Sequence, residues 1–184
     1  MRAPVRTVVE LVEGITPLDA VEDHHRCETL RWLAATDDVF RRIRPATPPR
    51  HLVSYVVPVS AEGDLLLGEH HNAGLWLPPG GHVEPDEHPA RTAAREAVEE
   101  LGVADPVDRL PAFLTLTRTV GIDHGHEDVS LWFRLPMDRD RGVRADPREF
   151  GQVRWWSPAE IREADPAAFD PHLGRFLTKL LSGQ

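Results

Sequence analysis

Cys27 is the only cysteine in 184 residues, which excludes an internal disulfide and a cysteine-based zinc site. No apolar run approaches the roughly 20 residues that a membrane-spanning helix needs. The opening MRAPVRTVVELVEG sets acids among its apolar residues and does not read as a signal peptide. The expectation is a cytoplasmic chain with no membrane partner. Positive charge is also scarce: 21 basic against 30 acidic side chains leave a formal charge of −9. That surface repels a polynucleotide backbone, so no nucleic-acid partner is expected. A small anionic substrate stays compatible, because bound cations can reverse the field at one site. Neither an internal repeat nor a low-complexity tract interrupts the chain.

What is present fits one domain with a helical extension, divided here at 1–48 and 49–184. The first 44 residues read as helical, with Thr16 and Pro17 as an N-cap and first-turn pair. Leu18, Val21, Leu30, Trp32 and Leu33 suggest a buried stripe, and Glu22, Asp23, His24, His25 and Arg26 a wet face. A shorter helix is expected over Asp38 to Arg44, before the stiff Arg44-Pro-Ala-Thr-Pro-Pro-Arg50 linker. From there β-branched residues take over. Leu52 to Val59 and Leu65 to His71 read as a hairpin, with His70 and His71 at the surface. Later strands are expected at Pro111 to Arg118, Val129 to Leu135 and Gln152 to Trp156. Ser157-Pro158-Ala-Glu160 begins a short helix, and Pro171 to Leu181 reads as a terminal amphipathic one.

The segment Pro89 to Leu101 holds no glycine and ends at Gly102, as a helix with a left-handed C-terminal residue would. It carries Glu96, Glu99 and Glu100 at helical spacings that put three carboxylates on one face. Bare, such a cluster is repulsive; a hard divalent cation turns the repulsion into binding. Ala90, Ala93, Ala94, Ala97, Val98 and Leu101 form the opposite face, small enough to press against a sheet. A solvated acidic face is the ordinary reading of E-x-x-E-E, and the flanking residues argue against it.

Those flanks run GHVEPDEHPARTAAREAVEELGV, Gly81 to Val103, which resembles the Nudix box G-x5-E-x7-R-E-U-x-E-E-x-G-U. Gly81, Glu87, Arg95, Glu96, Glu99, Glu100, Gly102 and Val103 match, and only Ala97 is smaller than the bulky aliphatic residue at its position. The resemblance extends over roughly Leu52 to Leu181, through LWLPPG before the box and VRWWSPAEI after it. It implies an α/β fold: an α/β/α sandwich with a mixed β-sheet and, here, an N-terminal helical extension. It also implies hydrolysis of a nucleoside diphosphate-linked compound with Mg²⁺, or Mn²⁺ in its place.

By the same resemblance, Glu96, Glu99, Glu100 and the Gly80 carbonyl would hold metal. Glu96 or Glu99 is a candidate base, and Arg95 would pair with Glu87 and orient the helix. Outside the box, Glu149 is the first candidate base, ahead of Asp138 and Asp140. His82, His126, Asp128 and Trp132 are candidates to touch substrate, with Phe133 and Trp155 as further stacking candidates. The run Asp123 to Asp128 contains H-x-H, but without cysteine a dedicated zinc site is disfavoured.

Signatures for ADP-ribose, dinucleoside polyphosphates and NADH are missing beyond the box, which leaves a nucleoside triphosphate as the expected substrate. Rival readings are an ADP-ribose or nucleotide-sugar pyrophosphatase and a non-catalytic nucleotide-sensing module. An isoprenoid diphosphate isomerase would need a cysteine near the metal. A homodimer is compatible with the sequence.

Overall fold

The computed structural model describes residues 2–43, 47–119 and 125–183. Its centre is a mixed sheet with apolar clusters on both faces, which is why its central segments carry buried runs such as Leu65-Leu66-Leu67. The strands are β1 (Arg50–Val59), β2 (Leu65–His70), β3 (Leu75–Leu77), β4 (Gly80–His82), β5 (Phe113–Arg118), β6 (Glu127–Pro136) and β7 (Phe150–Trp156). Along the main path the order is β3-β2-β1-β6-β5, with β4 pairing on β1 and β7 on β2. Among the described residues only β1 and β6 pair as parallel strands; the other strand pairs are antiparallel.

Helices α1 (Ala3–Glu13), α2 (Ala20–Ala35), α3 (Pro89–Leu101), α4 (Pro158–Glu163) and α5 (Leu173–Leu181) complete the layers. Strand alternation divides the core in two. Leu52, Val56, Leu131 and Phe133 face a cluster that takes in Val5 and Val8 of α1 and Ala93, Ala97 and Leu101 of α3. Val57, Leu65, Phe113 and Trp132 face the other, with Ile161 of α4 and Phe176 and Leu177 of α5. This is the expected α/β/α sandwich.

The N-terminal segment differs from its sequence reading in three respects. Asp19, not Thr16, caps α2, accepting from Val21 N at 3.0 Å and Glu22 N at 2.9 Å. Residues 38–43 form no helix; Arg42 instead folds its guanidinium back onto Asp38 at 2.7 Å. The supposed wet face of α2 is partly its buried face, since Glu22 and His25 are buried and Val21 is 46% exposed.

The cause lies at the sheet edge. Edge strand β5 leaves its Leu114 amide facing α2, and Glu22 Oε1 accepts from it at 3.2 Å. The same carboxylate receives the Lys179 ammonium of α5 at 2.8 and 3.0 Å.

His25 meets His172 edge-on, ring centroids 5.3 Å apart. Burial, then His25, then Arg175 hold the His172 imidazole down at about 4, and burial also lowers His25. Below pH 6.5 the unfolded chain therefore takes up a proton at residue 172 that the folded chain refuses until about pH 4. Stability from this group is present above pH 6.5 and lost on acidification towards pH 4. We expect His172→Asn to flatten that slope relative to wild type, as measured by urea midpoints across the interval. Parallel slopes would contradict it.

Candidate active site

A cleft of about 1090 Å³ opens over β4, the N-terminal part of β6 and the acidic side of α3. Its position follows from local sequence. His88 caps α3 by accepting from Ala90 N at 3.1 Å, and Pro89 fills the first turn. Gly102 closes the helix in the left-handed region at φ 68°, where its amide and that of Val103 bond back to Val98 and Ala97 at 3.0 Å. Ala93, Ala97 and Leu101 pack on the sheet without exposure. The small Ala97 is thus a close-packing residue on the buried face.

Burial decides how the acids of α3 are to be read. Glu96 and Glu100 are each 7% exposed, turned towards β4, while the Glu99 side chain is 57% exposed at the cleft mouth. The sequence placed all three on one helix face, and two of them are buried beneath the cleft. Gly80 N donates to Glu100 Oε2 at 3.0 Å. At Gly81 a Cβ would overlap the Glu96 carboxylate, so the glycine there serves close approach. Burial, then the Glu96 charge, push Glu100 up to about 8, and burial raises Glu96 too. The pair is only partly compensated by positive charge, and hard divalent cations suit such a set of oxygens.

Arg95 supplies part of that compensation. It donates to Glu96 Oε1 at 2.7 Å, Glu99 Oε2 at 3.1 Å and Glu87 Oε2 at 3.2 Å, and reaches the His82 carbonyl at 3.4 Å. Burial alone would lower its pKa; Glu87 and Glu96 outweigh burial and raise it. Thr92 Oγ1 donates to Glu87 Oε2 at 2.7 Å and fixes the far end of the pair. Arg95 thereby ties the loop before the helix to the helix itself.

The charged loop after β6 follows the C-terminal end of α3. Its Arg144 and Asp146 amides bond the carbonyls of Leu101 and Glu100 at 2.8 and 2.9 Å. This run delivers Glu149 to the cleft wall, 3.6 Å from His70 Nε2. His70 lines the cleft as well, a correction to its expected surface position. Asp138 and Asp140 are exposed on the loop and do not line the cleft.

Just before β6 and along it, His126, Asp128 and Ser130 line the cleft at alternate positions, as does His82 of β4. Trp132 continues the alternation but lies beyond the cleft. It is fully buried, donates from Nε1 to Thr115 Oγ1 at 3.1 Å, and packs against Phe113 and Phe176. It is therefore a core residue and cannot stack on a substrate base. Replacing it with Ala should cost about 3–5 kcal/mol of stability. The matching check is a Trp132→Phe enzyme, whose KM should stay unchanged.

Phe133 is likewise buried, on the opposite face, while Trp155 is partly buried against that same core. Tyr55, Phe150 and Phe169 are the aromatic residues that do line the cleft. His124 lies outside the described residues.

Sequence reasoning missed His51, Tyr55 and Asp170. Asp170 lines the cleft near Tyr55, and burial pushes its carboxyl up to about 6. For His51 and Tyr55 the only signal was strand alternation along β1, whose partner strand was not identifiable; Asp170 lies outside any strand and gave none. Cys27 sits in α2 and does not line the cleft, so the cysteine that an isoprenoid isomerase needs is not placed there.

Comparison with known proteins agrees with this geometry. The NUDIX domain profile matches residues 49–180. A MutT-like protein of Streptomyces ambofaciens is 37% identical over 118 residues, 64% of this chain and 71% of the relative. An isopentenyl-diphosphate Delta-isomerase of Nocardia farcinica is 34% identical over 103 residues, 53% of this chain and 56% of its own length. Among solved structures, a C. elegans Ap4A hydrolase superposes with a TM-score of 0.59 at 19% identity, covering 72% of this chain and 98% of that one. At that identity the likeness concerns the fold alone. Among the described residues no helix is long and apolar enough to cross a membrane. The chain belongs to the NUDIX family, as an enzyme of its pyrophosphohydrolase class.

Proposed function

We propose that the chain hydrolyses a phosphoanhydride bond in a nucleoside diphosphate-linked compound with Mg²⁺, a nucleoside triphosphate being the first substrate class to test. The observation that carries this reading is the burial of Glu96 and Glu100 side by side beneath the cleft. A solvated acidic face would leave them in water. Glu96, Glu99 and Glu100, with the Gly80 carbonyl at the cleft wall, are the residues that would hold the ion. When bound, such an ion neutralises phosphate charge and lowers the pKa of a bound water.

The chain's own groups divide the remaining work. Arg95 holds Glu96 and Glu99 in register with the β4 loop. Glu149 lines the cleft and is the proposed acceptor of the attacking water's proton, with Glu99 as the alternative inside the box. Arg41, Arg42 and Arg118 line the same cleft and suit the charge of a polyphosphate. Water adds to the α-phosphorus, the bridging P–O bond breaks, and nucleoside monophosphate leaves with diphosphate.

The test is a chromatographic screen for nucleoside monophosphate over nucleoside triphosphates, diphosphates and nucleotide sugars, with Mg²⁺ and Mn²⁺ side by side. Metal-dependent release of a nucleoside monophosphate from any member is the expected result. Binding without turnover across the whole panel would favour a nucleotide-sensing role instead.

A further inference from the structure

Against the wall of the same cleft, apart from the acids of α3, four side chains converge that the proposed hydrolysis does not use. His51 of β1, His82 of β4 and His126 and Asp128 of the β6 wall bring one ligating atom each to within 4.8 Å of one another. We propose that they form a second metal site, selective for a borderline transition ion such as Zn²⁺ rather than for Mg²⁺.

The distances have the right size. Ligands about 2.0–2.1 Å from a tetrahedral zinc ion stand roughly 3.3 Å apart. Asp128 Oδ1 lies 3.2 Å from His51 Nε2 and 3.4 Å from His126 Nε2. Parallel pairing of β1 with β6 sets the first distance, since His51 and Asp128 are register partners.

Protonation also fits. His51 Nδ1 lies 2.8 Å from the Pro48 carbonyl, which can only accept, so that nitrogen carries the proton. In the tautomer this bond selects for metal binding, the Nε2 lone pair faces Asp128, as in metal-bound histidines held by a backbone carbonyl. Among the described residues neither His51 Nε2 nor Asp128 Oδ1 makes a hydrogen bond, although both are buried. Buried polar atoms in that condition call for a reason.

Mutual ion pairing of imidazolium and carboxylate explains the cluster less well. The His51 ring stacks on His126 and tilts against His82, each with centroids 4.8 Å apart. Several like charges at that spacing repel, whereas neutral imidazoles around one shared cation do not. Imidazole nitrogen suits Zn²⁺ and its neighbours, and Mg²⁺ prefers an all-oxygen shell. His51 is fully buried behind the site, while His82, His126 and Asp128 line the cleft. An ion held there would face the cleft on its open side.

Co²⁺ titration of the chelator-treated full chain tests the site without any substrate, and so independently of the hydrolase reading. The wild type should take up one equivalent with an intense visible band of four- or five-coordinate cobalt, discharged by Zn²⁺ but not by excess Mg²⁺. Asp128→Asn and His126→Gln, each checked for folding by circular dichroism, should weaken that uptake by at least about tenfold. Glu99→Gln should retain it. A wild type showing only the pale band of six-coordinate cobalt would overturn the proposal. So would an intense band that survives both substitutions in the cluster, or one lost in Glu99→Gln and kept in Asp128→Asn.

Discussion

Replacing Glu100 with Gln is expected to lower turnover by roughly a hundredfold or more while leaving the protein folded. The size follows from losing a ligand to the ion that carries the charge compensation: about 3 kcal/mol of barrier corresponds to a hundredfold in rate. The retained fold follows from burial. Glu100 lies beneath the cleft next to Glu96, where burial and the Glu96 charge disfavour its ionised form. A neutral amide of the same shape relieves that repulsion, and Gln Oε can still accept from Gly80 N. Two readouts separate catalysis from folding. Turnover should collapse, whereas the melting temperature without metal should stay level or rise. Ion binding should stabilise the wild type at saturating Mg²⁺, about 2.7 kcal/mol at a hundred times its Kd, and the variant much less. Wild-type turnover in Glu100→Gln would remove the proposed role of this residue.

The second large effect concerns the attachment of the N-terminal helices. Lys179→Met should cost about 3–5 kcal/mol, the range for stripping the partner from a buried charge. Glu22 of α2 and Lys179 of α5 are both almost wholly buried, and among the described residues Glu22 otherwise keeps only the amides of Leu18 and Leu114. The double variant Glu22→Gln with Lys179→Met should lose less than Lys179→Met alone. Its Gln removes the stranded charge and still accepts from one amide. Urea midpoints at constant m-value measure both changes. A loss below about 1 kcal/mol in Lys179→Met would show that the pair does not fasten α2 to the sheet.

These two sites also mark where sequence reading succeeds and where it stops. The helix of the box was legible to its ends because everything that defines it is local. Pro89 starts it, Gly102 stops it, and the spacing of Glu96, Glu99 and Glu100 is fixed by one turn of backbone. The α/β/α layering was implied by the family resemblance, whereas the change of hydrophobic period at His51 marked only where the strands begin.

The depth of the acids was not legible, since periodicity gives a side chain's direction and not what lies over it. The same limit misplaced Glu22. Its partners Leu114 and Lys179 stand 92 and 157 residues away, and without them a glutamate on a helix reads as wet. His51 escaped notice because its relation to Asp128 exists only through the parallel register of β1 and β6. Trp132 was offered as a substrate contact and is a core residue, because α5 closes over its face of β6 just past Ser130.

The claim that most depends on geometry is that α3 aims buried carboxylates at a divalent ion beneath the cleft. Anomalous scattering from a crystal soaked in Mn²⁺ measures this directly. The account predicts a peak among Glu96, Glu99 and Glu100, beside the Gly80 backbone. Mn²⁺ absent from those carboxylates at saturating concentration, with turnover intact, would contradict it.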